Sequence, residues 1–292
     1  MNKHLLRFYS PLWLFILMHL VPLNGNEIEF GVQEDVPYRS DLSDGSYAAE
    51  RCVLDVYRPI SPGDNPILIW FHGGGLEGGS KSSGLTRQLA ESFASWGVTV
   101  VVPNYRLSPK VTFPTYLEDA AAAVRYTQEN IAGNNQSIFI GGHSAGGYIA
   151  FMLALDRQFL DGADVDRENI AGYIPMSGQI MTHFTVAKER GIELPEIIAD
   201  GAAPINHIGN ETAPILVIIG GEDWPARLES NRYFVAAMRK VAKNENVAII
   251  EVPDRTHGSI LKGISNADDP AAIAAMSFLQ SQDLPPDQLI DE

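Results

Sequence analysis

The apolar, β-prone run Ser137-Ile138-Phe139-Ile140 leads directly into Gly141-Gly142-His143-Ser144-Ala145-Gly146-Gly147. A strand that ends in G-x-S-x-G and continues as a helix makes a tight turn, which lifts a serine out of the edge of a sheet. Gly142 and Gly146 flank Ser144 at two positions on either side, where side chains would hold strand and helix apart. Behind the turn, Tyr148-Ile149-Ala150-Phe151-Met152-Leu153-Ala154-Leu155 is an apolar helical run fit for burial. Alone, the pattern also suits a helix merely capped by serine. A second motif upstream weighs against that reading. Ile67-Leu68-Ile69-Trp70-Phe71 is another buried-strand run, and it ends in His72-Gly73-Gly74-Gly75. Three successive glycines let the backbone pass close to a substrate carbonyl with its N–H groups free. One motif offers a nucleophile and the other offers donors for a developing oxyanion.

A nucleophilic serine needs a base, and the base needs an orienting carboxylate. In a strand–turn–helix site of this kind they follow in the order Ser, acid, His. Ala213–Gly220 is a strongly β-prone run, with Gly221-Glu222-Asp223 directly behind it. Val247–Val252 is a further strand candidate, followed by an expected loop Pro253-Asp254-Arg255-Thr256-His257-Gly258. Asp223 and His257 are thereby expected on loops at the same sheet edge as Ser144. Glu222 and Asp254 stand close by, and Glu222 is the next candidate for the acid. Of the other histidines, His4 and His19 fall in the leader, and His183 and His207 lie between strands, where a hydrogen-bonded or solvated imidazole is the plain expectation. His72 and His143 precede the order a base requires. His72 is expected to orient the glycine loop and His143 to line the pocket beside the serine, so both are placed at the substrate-binding face.

The remaining segments alternate. Strands are expected at Val53–Tyr57, Ile67–Phe71, Val98–Val102, Ser137–Ile140 and Ile170–Met176, followed by the two already named. Helices are expected at Gly84–Ser95, Tyr116–Asn130, Ala226–Val241 and Pro270–Gln280. Val- and Ile-rich strands separated by helix-length segments predict an α/β fold, a mostly parallel sheet with helices on both faces. Antiparallel strands belong near its start, within Ile28–Tyr57.

This chain resembles the α/β-hydrolase-fold serine esterases of the HGGG type. It is similar to hormone-sensitive-lipase-like carboxylesterases and to feruloyl/acetylxylan-esterase-like and kynurenine-formamidase-like enzymes. The likeness runs from about Val53 to Phe278 and includes Asn104-Tyr105-Arg106-Leu107-Ser108-Pro109, Phe113-Pro114-Thr115-Tyr116-Leu117-Glu118-Asp119 and Ala203-Pro204-Ile205. The resemblance implies an α/β-hydrolase fold, and an oxyanion hole formed by Gly74, Gly75 and the amide of Ala145. It implies hydrolysis of small to medium carboxylic esters through an acyl-enzyme, with no metal or organic cofactor. The substrate would be a small-molecule or polysaccharide-linked ester. Two departures lean toward the shorter relatives: little chain precedes HGGG, and the acid motif reads Gly-Gly-Glu-Asp followed by Trp224-Pro225. Any lid must come from residues 178–213, where Phe184, Ile192, Leu194, Ile197 and Ile198 could frame an acyl pocket; an ordinary helical insertion packed on the core fits as well.

Lys3, His4 and Arg7 precede the apolar run Pro11–Val21, which is too short for a membrane span and suits a signal-peptide core. Residues 1–25 are therefore expected to be a signal peptide and 26–292 a single exported domain, with an uncleaved anchor as the lesser reading. Cys52 is the only cysteine, so no intrachain disulfide forms. A formal charge of −15 disfavours nucleic acid and anionic membranes as partners. Asp161, Asp164, Asp166 and Glu168 lack the glycine and downstream glutamate of a calcium loop and read as solvated surface. Two other activities remain beside ester hydrolysis: C–N cleavage on the same three residues, and a silent scaffold used for binding.

Overall fold

Each apolar run expected as a strand is buried on both sides, so its alternate residues feed two separate cores. The structure, a computed structural model, describes residues 28–40, 42–133, 136–193 and 195–290. The expected signal peptide and Leu194 lie outside these residues. The order of elements is β1 (Phe30–Pro37), α1 (Tyr47–Arg51), β2 (Val53–Pro59), β3 (Ile67–Phe71), α2 (Gly84–Ser95), β4 (Thr99–Pro103), α3 (Thr115–Asn130) and β5 (Ile138–His143). Then follow α4 (Ala145–Leu155), α5 (Arg157–Gly162), β6 (Ile170–Met176), α6 (Phe184–Glu189), β7 (Ile215–Glu222), α7 (Arg227–Lys240), β8 (Val247–Thr256), α8 (His257–Gly263) and α9 (Pro270–Ser281).

The strands form one sheet in the order β1-β2-β4-β3-β5-β6-β7-β8. β1 pairs antiparallel with β2, and β2 antiparallel with β4, as expected near the start of the chain; all other pairings are parallel. Ile67, Ile69 and Phe71 of β3 face the core beneath α3, α4 and α7. Leu68 and Trp70, one residue out of phase, face the core shared with α2, α8 and α9. Every residue of α4 is buried, which explains why its sequence shows no polar face. Among the described residues no helix is long and apolar enough to cross a membrane.

Chain order and spatial order part between β3 and β5. From β3 the chain passes to β4 on one side, and β5 then enters on the other. At such a reversal the loops leave the strand ends in opposite directions and open a crevice. Both glycine motifs emerge there. One expectation is corrected at the far end of the sheet. Residues 253–256 are not a loop: β8 continues to Thr256, and His257 is the first residue of α8. Thr256 and Ser259 cap this helix reciprocally, side chain to backbone. Past α9 the chain returns beside β8, where the Gln288 amide donates to Ile249 O at 3.0 Å and the Glu251 amide to Gln288 O at 2.8 Å. The Arg239 guanidinium grips Asp287 at 2.6 Å and pins this tail.

Candidate active site

Ser144 sits between β5 and α4 with φ +58° and ψ −115°, a conformation costly for any residue bearing a side chain. The neighbours that hold it there are backbone atoms. A Cβ on Gly146 would lie 1.9 Å from Phe71 O, and one on Gly142 would lie 2.5 Å from Gly146 C. Strand and helix therefore meet at a distance only glycine permits. The Ser144 amide donates to Met176 O at 2.9 Å, which ties the turn to the end of β6.

Three side chains from three strand ends converge on one line. His257 Nε2 is 2.9 Å from Ser144 Oγ, and His257 Nδ1 is 2.7 Å from Asp223 Oδ1. The Asp223 side chain is fully buried and that of His257 is 9 % exposed. Glu222 and Asp254, the other acids near this edge, are exposed. Two further groups hold the carboxylate: the Ser177 hydroxyl donates to Oδ2 at 2.5 Å and the Trp224 amide to Oδ1 at 2.6 Å. Burial alone would raise the Asp223 pKa, but the bonds from His257 and Ser177 and the adjacent imidazole outweigh it and hold the carboxyl below its usual range. The arrangement can pass a proton from Ser144 to His257 while the carboxylate fixes the imidazole tautomer.

The glycine loop after β3 lies directly against this line. A Cβ on Gly73 would come within 3.2 Å of Ser144 Cβ. Gly74 and Gly75 have φ of +120° and +64°. Their carbonyls are occupied: Gly74 O accepts from the amides of Glu77 and Gly78, and Gly75 O from the Thr185 hydroxyl at 2.5 Å. Their amides, and that of Ala145 at the start of α4, donate to no acceptor among the described residues.

Both flanking histidines are hydrogen-bonded within the protein, and His72 holds the glycine loop as its place before Gly73 leads one to expect. His143 is 6 % exposed, and its Nε2 donates to His257 O at 2.7 Å. His72 is 1 % exposed, stacks on Tyr105 at 4.3 Å and donates through Nδ1 to Gly73 O at 2.7 Å. Burial holds the pKa of each near 4. These neutral imidazoles shape the loop and the helix start around the site.

Residues 178–213 pack onto the same edge through α6 and a short turn at Pro204–His207. Phe184 lies so near Gly75 that a Cβ there would be 3.1 Å from its ring. Lys188 pairs with Glu77 at 2.8 Å, and the Tyr148 hydroxyl reaches Ala202 O at 2.8 Å. Phe184, Ile192, Ile197 and Ile198 do share a cavity, but of about 40 Å³, roughly the volume of one water. A larger cavity of about 1180 Å³, lined by Tyr38, Arg39, Glu118 and Gln158 among others, includes none of the residues near Ser144. The hydrogen-bond geometry locates the site. Ser177 and Trp224 join the site without a motif of their own; the one sequence signal for Ser177 is its place directly after a strand that ends at the same edge.

A family described as alpha/beta hydrolase fold matches residues 68–193, which include both glycine motifs. The chain is 27 % identical over 273 residues to a probable carboxylic ester hydrolase, LipM, of Mycobacterium tuberculosis, covering 85 % of this chain and 62 % of the relative. It is 34 % identical over 154 residues to a carboxylesterase, NlhH, of the same species, covering 51 % and 44 %. The chain spans 60 to 62 % of the length of the first three curated relatives. Among solved structures, a truncated carbohydrate esterase from gut microbiota superimposes with a TM-score of 0.68 at 19 % identity, over 89 % of this chain and 98 % of the other. A thermophilic esterase of Thermogutta terrifontis gives 0.65 at 22 %, over 85 % and 91 %. Together with the topology, these likenesses show the α/β-hydrolase fold.

Proposed function

We propose that this α/β-hydrolase-fold chain is a serine carboxylesterase that hydrolyses small to medium esters through an acyl-enzyme on Ser144. The observation that carries the reading is the unbroken path from Ser144 Oγ through His257 to Asp223, beside three amides with no acceptor among the described residues. Ser144 attacks the ester carbonyl while His257 Nε2 takes its proton, and Asp223 holds Nδ1–H in place. The amides of Gly74, Gly75 and Ala145 form the oxyanion hole, where one donor is typically worth about 3–4 kcal/mol. His257 then protonates the departing alcohol, and water repeats the sequence to release the acid. The esterase names of the curated relatives support the same chemistry. A carbohydrate esterase among the fold relatives keeps a polysaccharide-linked ester within the substrate class. We further infer export, from the basic residues and short apolar run within the first 25 residues.

Hydrolysis of p-nitrophenyl esters from acetate to laurate by the protein and its Ser144→Ala variant tests the reading. Turnover confined to the protein with Ser144 is expected, with an optimum at the shorter chains. Equal inertness of both toward esters, with Ser144-dependent cleavage of amides instead, would replace it with C–N hydrolysis.

A further inference from the structure

The acid motif continues into Trp224, which takes no part in the proton path. Its indole lies flat on the His257 imidazole, with centroids 3.7 Å apart and planes at 18°. Its amide donates to the same Asp223 oxygen that accepts from His257 Nδ1, so backbone and ring are both registered on the pair. The Arg227 guanidinium stands 5.7 Å from the indole centroid. Even so, Trp224 is 48 % exposed. One face is closed by the imidazole, and much of the rest of the ring is open.

An exposed aromatic ring has no meaning by itself. This one acquires meaning from what lies under it. When the tetrahedral intermediate breaks down, the leaving oxygen must stand within hydrogen-bond reach, ~2.6–3.2 Å, of His257 Nε2. An indole is wider than the imidazole it covers. Stacked at 3.7 Å, the larger ring extends past the edge of the imidazole. The other groups around His257 offer no such surface: Asp223 and His143 are buried, and Ser144 carries the acyl group. Phe184 stands over the glycine loop instead.

We propose that Trp224 is the wall against which the leaving alcohol packs, and that the chain thereby favours esters of flat, ring-bearing alcohols. The inference rests on the esterase reading and adds the alcohol half of the substrate to it. A planar group offset on the indole gains an aromatic pair beyond simple burial, whereas a linear alkyl group gains burial only.

Benzyl acetate, 2-naphthylmethyl acetate and n-butyl acetate share one acyl group and have primary alcohols of similar acidity, so they differ chiefly in the ring. The protein should prefer the two ring esters in kcat/KM by about 3- to 10-fold, the size of an aromatic pair. Trp224→Phe should keep most of that preference, and Trp224→Leu and Trp224→Ala should abolish it. Any loss common to all three esters reports a loosened imidazole and cancels in the ratio. The Leu and Phe variants retain apolar bulk, so their comparison decides the matter even if the Ala variant does not fold. An unchanged ring-to-butyl ratio in Trp224→Leu, or no ring preference in the protein itself, would overturn the proposal and leave the esterase reading intact. Absence of any Ser144-dependent ester turnover would overturn both.

Discussion

Ser177 donates its hydroxyl to Oδ2 of Asp223 at 2.5 Å, on the side of the carboxylate that His257 does not use. Ser177 itself stands at φ +52°, with its amide on Ile218 O at 2.9 Å and its carbonyl accepting from Arg227 at 2.8 Å. A strained residue tied at both backbone ends is a rigid post for the acid. Ser177→Ala should lower kcat about tenfold with KM little changed, since a hydrogen bond to a charged group is worth ~1.5–3 kcal/mol. The bond also helps keep the Asp223 carboxyl ionised against burial. Without it the carboxyl protonates at higher pH, so the acid limb of the kcat/KM profile should move upward. An unmoved limb would assign Ser177 to packing alone.

Gly146→Ala should unfold the turn. The added methyl would sit 1.9 Å from Phe71 O and 2.9 Å from His72 O, both backbone atoms that cannot step aside. We expect a loss of about 3 kcal/mol or more in urea denaturation. Gly258, near the start of α8, has nothing within 4 Å of its missing Cβ. Gly258→Ala should raise stability by about 0.5–1 kcal/mol, because alanine loses less entropy in a helix. Similar effects from the two substitutions would contradict the packing described for the turn.

Stability should fall steeply on mild acidification. Burial holds His72 and His143 near pKa 4 and His183 near 3, against about 6.5 in the unfolded chain. Between pH 6.5 and 4 the unfolded chain therefore binds protons that the folded chain refuses, and the folded state weakens as pH drops. Each imidazole contributes at most about 3 kcal/mol to this decline. Asp223, with its carboxyl held low, adds a loss of the same sign below about pH 4. Urea midpoints should be level at pH 7–8 and decline below 6.5. His183→Gln should flatten the slope by about one proton.

Thr185→Val keeps the side-chain shape but removes the donor to Gly75 O. The carbonyl left unpaired should cost about 1–3 kcal/mol in thermal unfolding. Because the Gly75 amide belongs to the same short loop, kcat should fall more than KM rises. A stability loss with unaltered kcat would separate the insertion from the chemistry.

The sheet could be read from the sequence because its strands are nearly unbroken runs of Val, Ile and Leu, each bounded by glycine, proline or a polar turn. Ile67–Phe71 and Ile170–Met176 match the expected limits, and Ser144, Asp223 and His257 follow from strand-end position and order. Where structure and sequence pattern part, the cause is physical. Residues 253–256 extend β8 past the apolar core, where no alternating pattern marks them, so the helix start at His257 looked like a loop. Ser177 acts through a backbone twist that leaves no spacing signal. The burial of His72 and His143, and the bonds that tie them to Gly73 and His257, are visible only in three dimensions.

The tail beside β8 has a consequence for association. The outer edge of a terminal strand is a row of free amides and carbonyls on which a foreign strand can grow. Here the chain spends its own residues on that row: Gln288 meets Ile249 and Glu251, the Ile290 amide meets the Glu251 carboxylate at 2.8 Å, and Arg239 locks Asp287. A second copy that pairs with β8 at Ile249–Glu251 must first displace this segment.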